Sequence, residues 1–132
     1  MTGLELLILA MMMQTKHVIS DFFMQKKYQY SNKHIYGHPG GVLHAGIITA
    51  GTLVTFVIFG YYFGHIEWRV AMLLLTAEFY IHYNIDWAKM NICRKLNWKP
   101  DNSERFWELL GVDQYLHHMT NLLQILAIYL YN

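Results

Sequence analysis

Polar residues recur every three or four positions along stretches that are otherwise apolar, and this pattern predicts helices with a polar stripe on an apolar body. The clearest case is the stretch EFYIHYNIDWAK, in which Glu78, His82 and Asp86 stand four apart and Lys89 follows three later. On a helix these side chains share one face. Leu73, Leu74, Leu75, Phe79, Tyr80, Ile81, Tyr83, Ile85 and Trp87 surround them. A soluble surface helix has one apolar stripe on a polar body. A helix built the other way turns its stripe inward and shows its apolar sides to lipid.

Four such helices are expected. The first opens at Thr2 or Gly3 and runs to about Lys27, with an apolar start from Leu4 to Met13 followed by Gln14, His17, Asp21 and Gln25 on one face. Lys16, His17 and Asp21 each resist hydrocarbon, so an interfacial or soluble amphipathic helix is the competing reading of this segment. Pro39, Gly40 and Gly41 read as breakers at the end of a loop over 28–41. The second helix runs from about Val42 to Phe63. No charged residue lies between Ala45 and Gly64, and at 1.5 Å per residue that length crosses a hydrocarbon core of about 30 Å. The third runs from about Trp68 to Asn91 and the fourth from about Val112 to Tyr131, where Asp113, His117, Asn121 and Gln124 share a face. Between them, Pro100, Asp101, Asn102 and Ser103 supply turn and cap chemistry, and Phe106–Leu110 reads as a short interfacial helix. The expected fold is all-α: one transmembrane domain over 1–132, a membrane-embedded four-helix bundle with a short interfacial helix before the last span.

Composition sharpens this picture. Of the 132 residues, 55% are hydrophobic and 14% charged, against roughly 25% charged in ordinary soluble domains. A mean hydropathy of only +0.17 places the polar residues in loops and an interior stripe. The net charge of +1 excludes a strongly basic nucleic-acid footprint. The single Cys93 excludes an intramolecular disulfide and a cysteine-rich zinc module. The N-terminal stretch lacks a basic n-region and a small-residue cleavage site, so it reads as a retained helix.

The charges also orient the helices. Lys26, Lys27 and Lys33 fall at the first connection, and Lys89, Arg94, Lys95, Lys99 and Arg105 at the third. An excess of Lys and Arg in short loops marks the cytoplasmic side. In a four-span protein these two connections share a side, which places both termini outside and the chain in the inner (cytoplasmic) membrane. His17, Asp21, His44, His82, Asp86, Asp113 and His117 then all fall in the leaflet facing the cytoplasm, with His118 to spare.

These seven residues are the candidate metal ligands. Imidazole with carboxylate suits zinc, iron or manganese. Four His and three Asp exceed one tetrahedral site, and suit either two ions or one ion with carboxylates orienting the rings. A divalent metal open on one side makes hydroxide available near neutral pH. Lys89 can then stabilise an anion, Glu78 handle a proton and Gln114 contact substrate. Two other readings stand beside this one. Polar side chains glue membrane helices together, which accounts for Gln25, Asn121 and Gln124 without chemistry. Chains of Asp, Glu and His also serve as proton or ion relays, though a relay needs polar groups through the outer half as well. His34, His38 and His65 read as solvated loop residues.

The segments HVISDFFMQKK, LHAGI, HYNIDWAK and VDQYLHH together resemble an uncharacterised family of small bacterial and phage membrane proteins that carries a domain-of-unknown-function label. The resemblance rests on His17, Asp21, Phe22 and Gln25; on His44; on His82, Asp86 and Lys89; and on Asp113, Gln114 and His117. It spans nearly the whole chain and implies a polytopic inner-membrane protein without supplying an activity. The polar pattern is also similar in style to that of membrane-embedded metal-dependent hydrolases. The function expected is therefore a His/Asp site near the cytoplasmic face, hydrolysing a lipid-like or membrane-accessible substrate with a divalent metal. The alternative is a non-enzymatic membrane protein that works by polar-core packing, partner binding or ion permeation. The expected partners are the bilayer and a lipid-like substrate, with no nucleic acid.

Overall fold

Each helix begins and ends where the sequence offers a cap. The computed structural model describes residues 1–131. Thr2 caps α1 (Gly3–Val18) in a capping box with Glu5, so two otherwise unpaired backbone donors are satisfied reciprocally. A π-helical turn, Ile19–Phe23, continues α1, and α2 is a single short turn, Lys27–Tyr30. His38 caps α3 (Pro39–Phe63), accepting from the Gly40 amide at 3.0 Å, and Pro39 occupies the first helical position, where its missing N–H costs nothing. Gly64 closes α3 with φ of 72°, a left-handed conformation that suits a residue without Cβ. Glu67 caps α4 (Trp68–Leu96), and α5 runs from Glu104 to Leu130.

The four long helices form a closed ring: α1 packs on α3 and α5, and α4 packs on the same two. The short loop Gly64–Glu67 makes α3 and α4 antiparallel neighbours, and α2 lies against α3. No strand occurs among the described residues, so the all-α expectation holds. Among the described residues two stretches, Gly3–Phe23 and Pro39–Phe63, are long and apolar enough to cross a membrane.

Several boundaries differ from the sequence reading. The first helix does not continue to Lys27; after the π turn the chain breaks at Met24–Lys26 before α2. Pro39, Gly40 and Gly41 open α3 instead of preceding it, because proline is favoured in a first turn and disfavoured only further in. The separate interfacial helix over Phe106–Leu110 is absent, since those residues are the opening turns of α5. Gly111 is the only weak point there, and one glycine costs a helix about 1 kcal/mol, too little to stop it. Likewise α4 extends to Leu96 before Asn97 ends it with φ of 54°.

The interior is sorted along the bundle axis. Toward the end holding the N-terminus, the α3–α4 loop and the end of α5, the core is apolar: Leu9, Met13, Phe56, Phe59, Ala71, Leu75, Ile125 and Ile128. Toward the other end it is polar. Among the described residues, sixteen polar or charged ones are buried against thirteen hydrophobic ones, while 37 large hydrophobic side chains are exposed. A water-soluble core has the opposite balance.

Candidate metal centre

Four helices each contribute to one cluster. His17 and Asp21 come from α1 and its π turn, His44 from α3, His82 and Asp86 from α4, and Asp113 and His117 from α5; all seven are buried. The pairs 17/21, 82/86 and 113/117 are each one helical turn apart, which stacks imidazole over carboxylate on a single face. The π turn, closed by Met24 N–H to the Ile19 carbonyl at 2.9 Å, sits at Asp21 itself, and single π turns inside helices recur at functional sites. It fits closely against α3: a Cβ on Gly51 would stand 2.8 Å from Ser20 Oγ, so a larger residue there would have to displace that hydroxyl.

At the centre, His44 Nε2 lies 3.1 Å from His82 Nε2, 3.0 Å from Asp21 Oδ1 and 3.3 Å from Asp86 Oδ2. His82 Nε2 lies 3.3 Å from Asp86 Oδ2 and 4.0 Å from Asp21 Oδ1. Ligand atoms 2.0–2.1 Å from a tetrahedral ion stand about 3.4 Å from one another. Four of these five distances, 3.0–3.3 Å, are close to that spacing and the fifth, 4.0 Å, is longer, so His44 and His82 stand near ligand separation from each other and from Asp86. The groups Asp21–His44–His82 and His82–Asp86–His117 each bring their ligand atoms within 4.8 Å of one another and can hold a metal ion.

The carboxylates reach further with their second oxygens. Asp86 Oδ1 lies 3.7 Å from His117 Nε2, which is 3.6 Å from Asp113 Oδ1. Asp21 Oδ2 lies 3.7 Å from His17 Nε2 and accepts from Gln114 Nε2 at 3.4 Å. Gln114 also approaches His17 Nε2 with its Oε1 at 3.1 Å and donates to Asp113 Oδ2 at 3.1 Å. The rings of His82 and His117 stack with centroids 4.0 Å apart. His44 Nδ1, Asp113 Oδ1 and His117 Nε2 are buried with no hydrogen-bond partner among the described residues. Such atoms carry a large desolvation cost unless something else meets them.

A polar cavity of about 160 Å³ opens beside the cluster, lined by Asp21, Gln25, Lys33, Asp86, Lys89, Asp113 and Gln114 among others. Lys33 Nζ bonds Asp86 Oδ2 at 2.7 Å, and Lys89 Nζ lies 3.4 Å from Asp113 Oδ2. On the apolar side of the cluster, Glu78 Oε1 accepts from Lys16 Nζ at 2.6 Å and from Thr52 Oγ1 at 2.9 Å. A smaller cavity there is lined by Lys16, His17, Glu78, His82 and His117.

A family profile described as "Protein of unknown function (DUF3307)" matches residues 7–131. The chain belongs to the DUF3307 family. No curated protein and no solved structure matches it. The resemblance to a domain-of-unknown-function family is thus borne out, and the matched stretch contains every residue of the cluster.

In this DUF3307 protein all seven expected ligands converge, and Lys89 and Gln114 face the polar cavity. Glu78 does not line that cavity; it lies behind the histidines, paired with Lys16. His118 is half-buried with its ring 4.9 Å from that of His17, and belongs to neither ligand group. The three polar residues assigned to helix gluing divide. Gln124 Nε2 donates across to the Leu74 carbonyl at 3.3 Å, Gln25 Nε2 donates instead to the Asp21 carbonyl one turn back, and Asn121 Nδ2 is buried without a partner among the described residues. His38 is a helix cap, not a free loop residue. Sequence reasoning missed Lys16 and Lys33. Both are buried; Lys16 stands beside His17 of a predicted polar stripe, whereas Lys33 carries no such signal.

Proposed function

We propose that this is a multi-pass protein of the inner membrane, with α1, α3, α4 and α5 crossing the bilayer, both termini outside, and a divalent metal held near the cytoplasmic face by Asp21, His44, His82 and Asp86. The observation that carries the reading is the close approach of buried imidazole and carboxylate atoms from three helices, with His44 Nε2 3.0–3.3 Å from His82, Asp21 and Asp86. Two imidazoles and two carboxylates suit zinc, iron or manganese. The membrane setting is supported by the exposed apolar sides of all four long helices and by the Lys/Arg excess at the first and third connections.

The chemistry that fits is hydrolysis of an ester, amide or phosphoester in a lipid-like or membrane-accessible substrate. A divalent ion in this cage supplies activation of water near neutral pH and polarisation of a carbonyl or phosphoryl oxygen. The oxygen of water bonds to the carbonyl carbon or phosphorus, the bond to the leaving alcohol or amine breaks, and the leaving atom takes up the proton that water gives up. Lys89, on the cavity wall, steadies the developing anion. Gln114 fixes His17 and Asp21 and presents its amide to the same cavity. Asp113 and His117 orient the rings beside them, in the way carboxylates steer metal-ligating histidines. Glu78 has access to proton movement through the small cavity that it shares with His82 and His117. Ion permeation has less support, because the apolar cluster from Leu9 to Ile128 fills the other half of the bundle.

Elemental analysis of the detergent-purified protein tests this. The expected result is about one zinc, iron or manganese per chain, as a four-ligand site requires, lost in His82→Ala and Asp86→Ala variants that keep the helical circular-dichroism spectrum. Folded wild-type protein without metal would overturn the reading in favour of a polar core that serves packing alone.

A further inference from the structure

The polar cavity does not end at the bundle interior. Lys89 and Asp113 line it, and the same two residues also line an apolar groove of about 350 Å³ between α4 and α5. The groove runs over Ile85, Ala88, Ile92, Val112 and Leu116. It lies on the outer side of the helices, so in the proposed orientation it faces lipid. One residue pair thus stands at the junction of a polar chamber and an apolar channel, the division an amphiphile requires.

We infer that the substrate is a lipid with an anionic, phosphate-bearing head, whose head enters the polar cavity at Lys33 and Lys89 while an acyl chain lies in the α4–α5 groove. This inference rests on the metal-centre reading. The charges agree with it. Asp21, Asp86 and Asp113 face Lys33 and Lys89 across the cavity, and one divalent ion turns that balance from net negative to net positive. Lys33 is held tightly by Asp86, whereas the Lys89–Asp113 contact is longer and Lys89 is the more exposed of the two lysines, at 17% against 7%. Lys89 is therefore the cation freer to turn from its carboxylate to an arriving head group. Lys26, Lys27, Arg94, Lys95, Lys99 and Arg105 lie in or beside the two connections at this end, and basic residues beside a bilayer gather anionic lipids. A soluble phosphate ester would meet the same lysines but would leave the groove unused.

The experiment is photolabelling of the full chain in phosphatidylcholine nanodiscs. The probe is phosphatidic acid with a diazirine in its acyl chain; phosphatidylcholine with the same chain is the control. Labels are mapped by mass spectrometry. Phosphatidic acid is expected to label the groove residues about tenfold more than the control, a preference of about 1.4 kcal/mol, and millimolar inorganic phosphate should leave that labelling intact. Ala88→Trp, which fills the groove, should remove the excess, and Lys89→Met should abolish the preference for phosphatidic acid over phosphatidylcholine. Labels spread evenly around the bundle, an Ala88→Trp variant labelled like wild type, or loss of labelling to inorganic phosphate would each overturn the inference. Metal content of the same samples separates the two ideas. Metal present with even labelling sinks the lipid route and leaves the metal centre; groove labelling without metal does the reverse.

Discussion

The two ends of the bundle hold the same four helices together by opposite means. At one end Phe56, Phe59, Leu9, Met13 and Ile128 fill the axis with apolar volume, each 2% exposed or less. At the other, imidazoles, carboxylates and two buried lysines fill it, and the outer surface of both ends is apolar. In water the hydrophobic effect would drive the first arrangement and oppose the second. In a bilayer it favours neither, because lipid tails are as apolar as leucine and helices associate through packing and polar contacts. The apolar end needs only shape complementarity. The polar end carries a desolvation cost that nothing in helix association requires, and that cost is what points to chemistry there.

The largest effect is expected where the two regimes meet. Lys16 and Glu78 form a buried ion pair behind the histidines, with side chains 7% and 3% exposed. Removing one partner of such a pair leaves the other charge buried and uncompensated, which costs about 3–5 kcal/mol. Lys16→Met should lose that much in equilibrium unfolding by denaturing detergent. Replacing both, Lys16→Met with Glu78→Leu, should restore most of it, because apolar residues of similar volume replace buried ion pairs with little loss. A double variant as unstable as the single one would show that the boundary is held by something other than charge.

A somewhat smaller effect is expected within the apolar end. Phe59 is wholly buried and its ring lies 4.7 Å from that of Phe63. Phe59→Ala should cost about 3 kcal/mol by leaving a cavity that the helices close only in part. It should leave the metal content per chain unchanged, since Phe59 belongs to the apolar core and none of the seven ligand candidates does. Thermal unfolding together with elemental analysis measures both. Loss of metal in Phe59→Ala would break the separation of the two ends.

Much of this division can be read along the chain, and its limits have physical causes. The His/Asp stripes were legible because a helix repeats every 3.6 residues, so His82 and Asp86 must share a face whatever their tertiary partners. Their convergence followed from where each stripe falls in an antiparallel bundle. Lys33 was not legible as a site residue, because it lies outside any periodic segment and reaches Asp86 only through the fold of the chain around α2. Nor was the Lys16–Glu78 pair, whose partners are 62 residues apart; Lys16 by itself reads as an obstacle to membrane insertion. The π turn at Asp21 leaves no mark on the hydrophobic pattern, since one added residue in a turn shifts the register too little to see. The opening of α5 was misplaced because Phe106–Leu110 is amphipathic enough to suggest a surface helix, while Gly111 is too weak a breaker to separate it from the rest of α5.

The smallest expected effect tests whether polar contacts outside the cluster are more than packing. Gln124 lies two turns of α5 beyond His117, buried among apolar neighbours, and donates to the Leu74 carbonyl of α4 at 3.3 Å while its Oε1 has no partner among the described residues. A single interhelical hydrogen bond in a membrane is worth about 0.6 kcal/mol. Against that stands the cost of the unpaired oxygen, which leucine does not carry. Gln124→Leu should therefore change stability by no more than about 0.6 kcal/mol in either direction, near the resolution of detergent unfolding, and should leave both the metal content and the photolabelling pattern as in wild type. A loss of several kcal/mol or of bound metal would place Gln124 in the cluster's own network, and the polar region would then extend further toward the apolar end than the contacts around Glu78 indicate.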